Sequence, residues 1–221
     1  MPLIETSWPL LCIVFGAMLI LTLIMGMLSR YFYTHDVVEK KFSIMDLEIP
    51  ATPLEMVNLI KGLYKLEPEK SRSAIRSLRA HLLLDFIFMP CAYGSIFILC
   101  MLVAAKMKSF GVDIFIVLAW LQIVPFVCDI IENIYIFQKI KPAPQLSTPK
   151  THLLYLFMES LKWVIALLAA ISAIAAICYY WLSHYYSPST LNYGLIIIGE
   201  VIAFLIIGKV LLKEKKEKER A

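Results

Sequence analysis

Five long apolar runs fill most of this 221-residue chain: Trp8 to Leu28, His81 to Ala105, Val112 to Phe137, Leu153 to Trp181 and Leu191 to Leu212. Each reaches the ~20 residues that a helix rising ~1.5 Å per residue needs to cross ~30 Å of hydrocarbon. In lipid every backbone N–H and C=O must be paired inside the segment, so a run of this length is read as a helix. The 60% hydrophobic content comes in these blocks, without the short periodicities of a soluble core. The sequence therefore predicts an all-α integral membrane protein of five transmembrane helices.

The first run has no Lys or Arg ahead of it, carries Glu5 and leads to no small-residue cleavage site, which reads as an uncleaved anchor over 1–29 rather than a secretory signal. Residues 30–79 form an insert, 80–212 a four-helix bundle and 213–221 a charged tail. Cys12, Cys91, Cys100, Cys128 and Cys178 all fall in apolar runs without a C-x-x-C pair, so they are read as buried small apolar residues, with no disulfide, metal or cofactor implied.

The basic residues give the orientation. Of 21 Lys and Arg, nine lie between the first two runs, three between the third and fourth, and six from Lys209 onward. All 18 share one side of a five-span chain, whereas the other side holds only Lys106 and Lys108. The positive-inside rule then places the N-terminus outside and the C-terminus in the cytoplasm. With no N-x-S/T acceptor and no matching retrieval signal at the end of the chain, a bacterial inner membrane is favoured.

Within the insert, Thr52-Pro53-Leu54-Glu55 is a capping box with Pro at the first helical position, which predicts an amphipathic helix over 52–66. Leu54, Val57, Ile60, Leu63 and Tyr64 share its apolar face, suited either to the membrane interface or to the protein's own surface. Phe42 to Ile49 alternates in part, as a short extended segment would. Lys70, Arg72, Arg76 and Arg79 precede the second run, where basic residues enforce topology or hold anionic lipid head groups. No nucleic-acid partner is indicated, and a protein partner in the membrane is compatible with the composition.

Ionisable side chains inside the membrane are costly and face a bundle interior or water. Span two carries His81 and Asp85 one turn apart; span three carries Gln122, Asp129, Glu132 and Asn133 in one stripe. Span four carries Tyr155, Glu159 and Lys162 on a face continued by Ala166, Ala169, Ala173 and Ala176, small residues that admit a neighbouring helix. Span five adds Glu200, and span one has no ionisable residue, as a lipid-facing periphery would not. Asp85, Glu132 and Glu159 fall at one depth near the cytoplasmic end, with Asp129 and Lys162 a turn deeper. Four acids around one lysine cannot all ionise in a dry site, so protons, a bound cation or water must compensate.

No phosphate-binding glycine loop, H-E-x-x-H or G-x-S-x-G occurs, and the four histidines have no ligand spacing. Leu84-Asp85-Phe86 with Pro90 and Tyr93, then Asp129-x-x-Glu132-Asn133, then a lysine in the next span, resembles a pattern of small uncharacterised bacterial multi-pass proteins, over spans two to four. That resemblance implies no activity and groups these residues as one unit. Three functions remain open: an acidic site, open to the cytoplasm, that binds or carries a cation, a proton or a small polar or amine-bearing molecule; a structural or assembly subunit; and a membrane-embedded lipid-modifying enzyme.

Overall fold

The structure, a computed structural model, describes residues 7–36 and 38–218, with side chains through 211. Glu5 and the last residues of the charged tail, 219–221, lie outside the described residues. Five helices are long and apolar enough to cross a membrane, which makes this a multi-pass, all-α membrane protein. Helix α1 (Trp8–Leu28) ends in a 3-10 turn at Ser29–Tyr31, and a hairpin of β1 (Tyr33–His35) and β2 (Glu39–Lys41) follows. Then come α2 (Met45–Glu48), α3 (Pro53–Lys65), α4 (Pro68–Ala104), α5 (Phe110–Leu121), α6 (Ile123–Lys139), α7 (Pro149–Leu182) and α8 (Pro188–Lys218).

The chain divides into two compact units, which we call the insert unit (Met25–Pro90 and Ile123–Ala166) and the apolar unit (Met1–Ile24, Cys91–Gln122 and Leu167–Ala221). Pro125 has no N–H to give the Leu121 carbonyl, and its ring crowds that group, so the third apolar run is two helices, α5 and α6, joined at Gln122. Pro90 lies inside α4, which stays helical through it.

In the insert unit, Thr52 caps α3 as its sequence requires: its Oγ1 accepts from the Glu55 N–H at 3.2 Å, and Glu55 Oε2 accepts from the Ala51 N–H at 2.7 Å. Val57, Ile60 and Leu63 are buried, and Ile60 and Leu63 lie in a core made with Phe32, Phe42, Leu47, Leu78, Leu82, Ile136 and Tyr155. Leu54, expected on that face, is 54% exposed and lies outside this core. Gly62 is required where α3 meets β1, since a Cβ there would overlap Thr34 Oγ1 and come within 2.9 Å of the His35 backbone. Thr34 Oγ1 also donates to the Leu59 carbonyl at 2.9 Å.

The segment 42–49, expected to be extended, instead closes into α2 after the hairpin. Asp46 Oδ2 accepts from the Ser43 N–H at 2.7 Å, an acidic start that the partial alternation of apolar residues concealed. The basic residues before span two lie on the first turns of α4, which begins at Pro68.

The apolar unit has a core of Cys100, Met101, Val103, Ala104, Phe115, Ala119, Ala169, Ala173 and Ile177. Ala169 and Ala173 are fully buried, so the small-residue face of α7 is a packed interior as its spacing predicts. Cys12, Cys100 and Cys128 are buried free thiols, Cys91 is half-buried, and Cys178 is exposed, because its position on α7 turns it from the alanine face. Trp8 stacks on Trp181 and Tyr193 with ring centroids at 5.7 and 6.5 Å, and Tyr186 meets both tryptophans edge-on; amphipathic rings of this kind settle at membrane–water boundaries.

Candidate functional site

Three helical periodicities build the polar cluster of the insert unit. On α6, Asp129, Glu132 and Asn133 fall at i, i+3 and i+4 and so share a face. On α7, Glu159 and Lys162 are a turn apart, and Asp85 projects from α4. Lys162 is the hub. Its ammonium donates to Glu159 Oε1 at 2.6 Å, to Asp129 Oδ1 at 2.7 Å, and to Glu132 Oε2. Beside this hub, Asn133 Nδ2 donates to Asp85 Oδ2 at 2.6 Å.

Glu132, Asn133, Glu159 and Lys162 are all buried, at 3–6% exposure. Buried charges of this kind are tolerable only when paired. Yet the pairing is incomplete: Glu132 Oε1 and Glu159 Oε2 are buried with no hydrogen-bond partner among the described residues. The ammonium engages one oxygen of each glutamate and leaves the other.

A sixth ionisable group joins from an element that sequence periodicity did not connect with the site. A carboxylate oxygen of Glu48, at the end of α2, lies with oxygens of Glu132 and Glu159 in a group in which all are within 4.8 Å of one another. Glu48 is half-buried as a residue, but burial of its carboxyl pushes it up to about 7, an effect that the Lys162 ammonium opposes and that Glu159, Asp85 and Asp129 reinforce. Glu48 is held in place from α7, where the Tyr155 hydroxyl donates to the Leu47 carbonyl at 3.2 Å. Tyr155 in turn packs on Tyr135 with centroids 5.0 Å apart.

The other expected residues behave differently. Gln122 is buried, but its amide turns back on its own helix, donating to the Leu118 carbonyl at 3.0 Å; it belongs to the apolar unit. So does Glu200, whose Oε1 would lie 3.1 Å from a Cβ at Gly16 and whose buried Oε2 has no partner among the described residues. His81 belongs to the insert unit but serves its core: Nδ1 lies 3.3 Å from the Met25 carbonyl oxygen and the ring meets Phe32 edge-on.

The chemistry of the cluster follows from its inventory. Three carboxylates, those of Asp129, Glu132 and Glu159, hold one ammonium, with Glu48 beside two of them and Asp85 bonded to Asn133, and carboxylate oxygens without a proton only accept. Positive charge is what such an arrangement attracts. No known family, curated protein or solved structure matches the chain.

Proposed function

We propose that this is an inner-membrane protein whose acidic intramembrane site opens to the cytoplasm and binds or carries a cation, a proton or a small amine-bearing molecule. The observation that carries this reading is the pair of buried carboxylate oxygens, Glu132 Oε1 and Glu159 Oε2, that remain without a partner after Lys162 has been fully engaged. A network serving only to fix helix register gains most from matched charges, and an excess of buried acid is a cost that ligand binding offsets. The orientation rests on the basic residues, 18 on one side and two on the other, and puts the N-terminus outside. Arg72, Arg76 and Arg79 line a concave patch of 440 Å³ with Ile75, Ala80 and Leu83. These arginines offer a site for anionic lipid head groups, and Lys70, on the same helix, is paired with Glu39 at 3.1 Å.

Two measurements test this. Protein in nanodiscs should bind radiolabelled methylammonium saturably, and Glu132→Gln/Glu159→Gln should lose that binding while remaining monodisperse; unsaturable wild-type uptake, together with no proton release when salt is added, would sink the reading. For orientation, a cysteine placed at Lys216 in a cysteine-free background should resist an impermeant thiol reagent in intact cells, whereas one at Ser189 should react. The reverse pattern would turn the site outward.

A second reading, a structural or assembly subunit, is favoured by the saturation of Lys162 with three carboxylates. Under it, Lys162→Met combined with Glu159→Gln recovers folding, and no ligand binding exists to be lost.

A further inference from the structure

We infer that Glu48, Glu132 and Glu159 form a site for an oxygen-preferring divalent cation, with Glu48 as the ligand supplied from outside the membrane spans. This deepens the preceding reading and rests on it. Geometry comes first. One carboxylate oxygen from each of the three residues lies within 4.8 Å of the other two. Three oxygens that share one hard cation at about 2.0–2.6 Å stand about 3–4.5 Å from one another, so a group this close can converge on a single ion.

The second line is independent of that proximity. Lys162 takes Glu132 Oε2 and Glu159 Oε1, and the remaining oxygens, Glu132 Oε1 and Glu159 Oε2, are buried without a hydrogen-bond partner among the described residues. Both residues are at least nine-tenths buried, at 4% and 3% exposure. A buried acceptor of this kind needs a donor or a positive charge. The donor set selects the class of ion: three carboxylates with neither imidazole nor thiolate favour a hard cation over zinc or copper.

The third line is positional. Glu132 and Glu159 are fixed on membrane-spanning helices, while Glu48 ends a one-turn helix that lies in none of the spans. The bond from Tyr155 to the Leu47 carbonyl holds that turn against α7, making Tyr155 a positioning residue for the third ligand. The insert therefore does more than separate two spans: it completes the coordination.

The experiment uses the full chain in nanodiscs with Mn²⁺ as the probe, read by loss of the free-ion EPR signal and by competition with Ca²⁺ and Mg²⁺. Wild-type protein should bind one Mn²⁺, displaced by Ca²⁺ or Mg²⁺. Glu48→Gln should weaken binding by at least about tenfold, the loss that even an outer-shell partner of a metal costs. Glu39→Gln, on the exposed hairpin, should bind as wild type. Should Glu48→Gln fail to fold, carbodiimide modification of Glu48 in the wild-type protein, read by mass spectrometry, should be slowed by Mn²⁺ and Ca²⁺. Mn²⁺ binding that survives Glu48→Gln, or modification of Glu48 indifferent to the ion, overturns the inference while leaving an intramembrane cation site standing. Methylammonium binding without any Mn²⁺ binding overturns it likewise, and absence of both defeats this inference and the reading beneath it.

Discussion

On α7, Ala169 and Ala173 are fully buried among small and aliphatic residues of the apolar unit, while about two turns earlier on the same helix Glu159 and Lys162 are buried among carboxylates of the insert unit. One helix thus serves two kinds of interior. In the apolar unit, cohesion comes from close approach: lipid is as apolar as the side chains, so packing density and small residues carry the association. The insert unit has a core built like that of a soluble domain, in which the hairpin, α2 and α3 bury Phe32, Phe42, Leu47, Ile60 and Leu63 against membrane helices. Beside that core it carries the polar cluster.

The largest effect expected from breaking this contrast is at Lys162. Lys162→Met leaves Asp129, Glu132 and Glu159 without their ammonium and should destabilise the protein by about 3–5 kcal/mol, read as loss of the monodisperse peak after heating. A variant as stable as wild type would mean that the acids are already neutralised by another route. Next is Leu47→Ala. The side chain is fully buried, and its loss should cost about 2–5 kcal/mol and release α2. If the insert core is what holds the third carboxylate, amide exchange of 43–49 should accelerate in this variant while that of 169–177 stays unchanged.

Overpacking sharpens the other side of the comparison. Ala169→Leu, at a fully buried position, should cost about 1–3 kcal/mol, with the loss confined to the apolar unit; slowed or unaltered exchange there would show that the alanine face is not tightly packed. The smallest effect belongs to the cap: Thr52→Ala removes the acceptor of the Glu55 N–H and should cost about 1 kcal/mol, visible as faster exchange over the first turn of α3.

Much of this is local information. Five spans could be counted from the lengths of the apolar runs, and Asp129, Glu132 and Asn133 on one face, like Glu159 and Lys162, follow from the helical repeat. The capping box at Thr52 fixed the start of α3 because capping involves only four neighbouring residues. That Asp85 meets Asn133, and that Asp129, Glu132 and Glu159 converge on one lysine, was foreshadowed by shared depth and by the cost of turning such groups to lipid.

The tertiary structure alone decided the rest. Gln122 sits in the same stripe as Asp129 and Glu132, yet the helix breaks at Gln122, ahead of Pro125, and its amide nitrogen finds a partner one turn back. Glu48 is invisible to periodicity because it ends a one-turn helix whose position depends on a bond to Tyr155, 108 residues away. Whether the apolar face of α3 met lipid or protein was equally undetermined, since an amphipathic pattern specifies that a face is buried but not against what. Periodicity and capping are fixed by neighbours within one or two turns. The identity of the third carboxylate, and the surface that covers α3, depend on contacts between segments far apart in the chain, whose pairing no local pattern encodes.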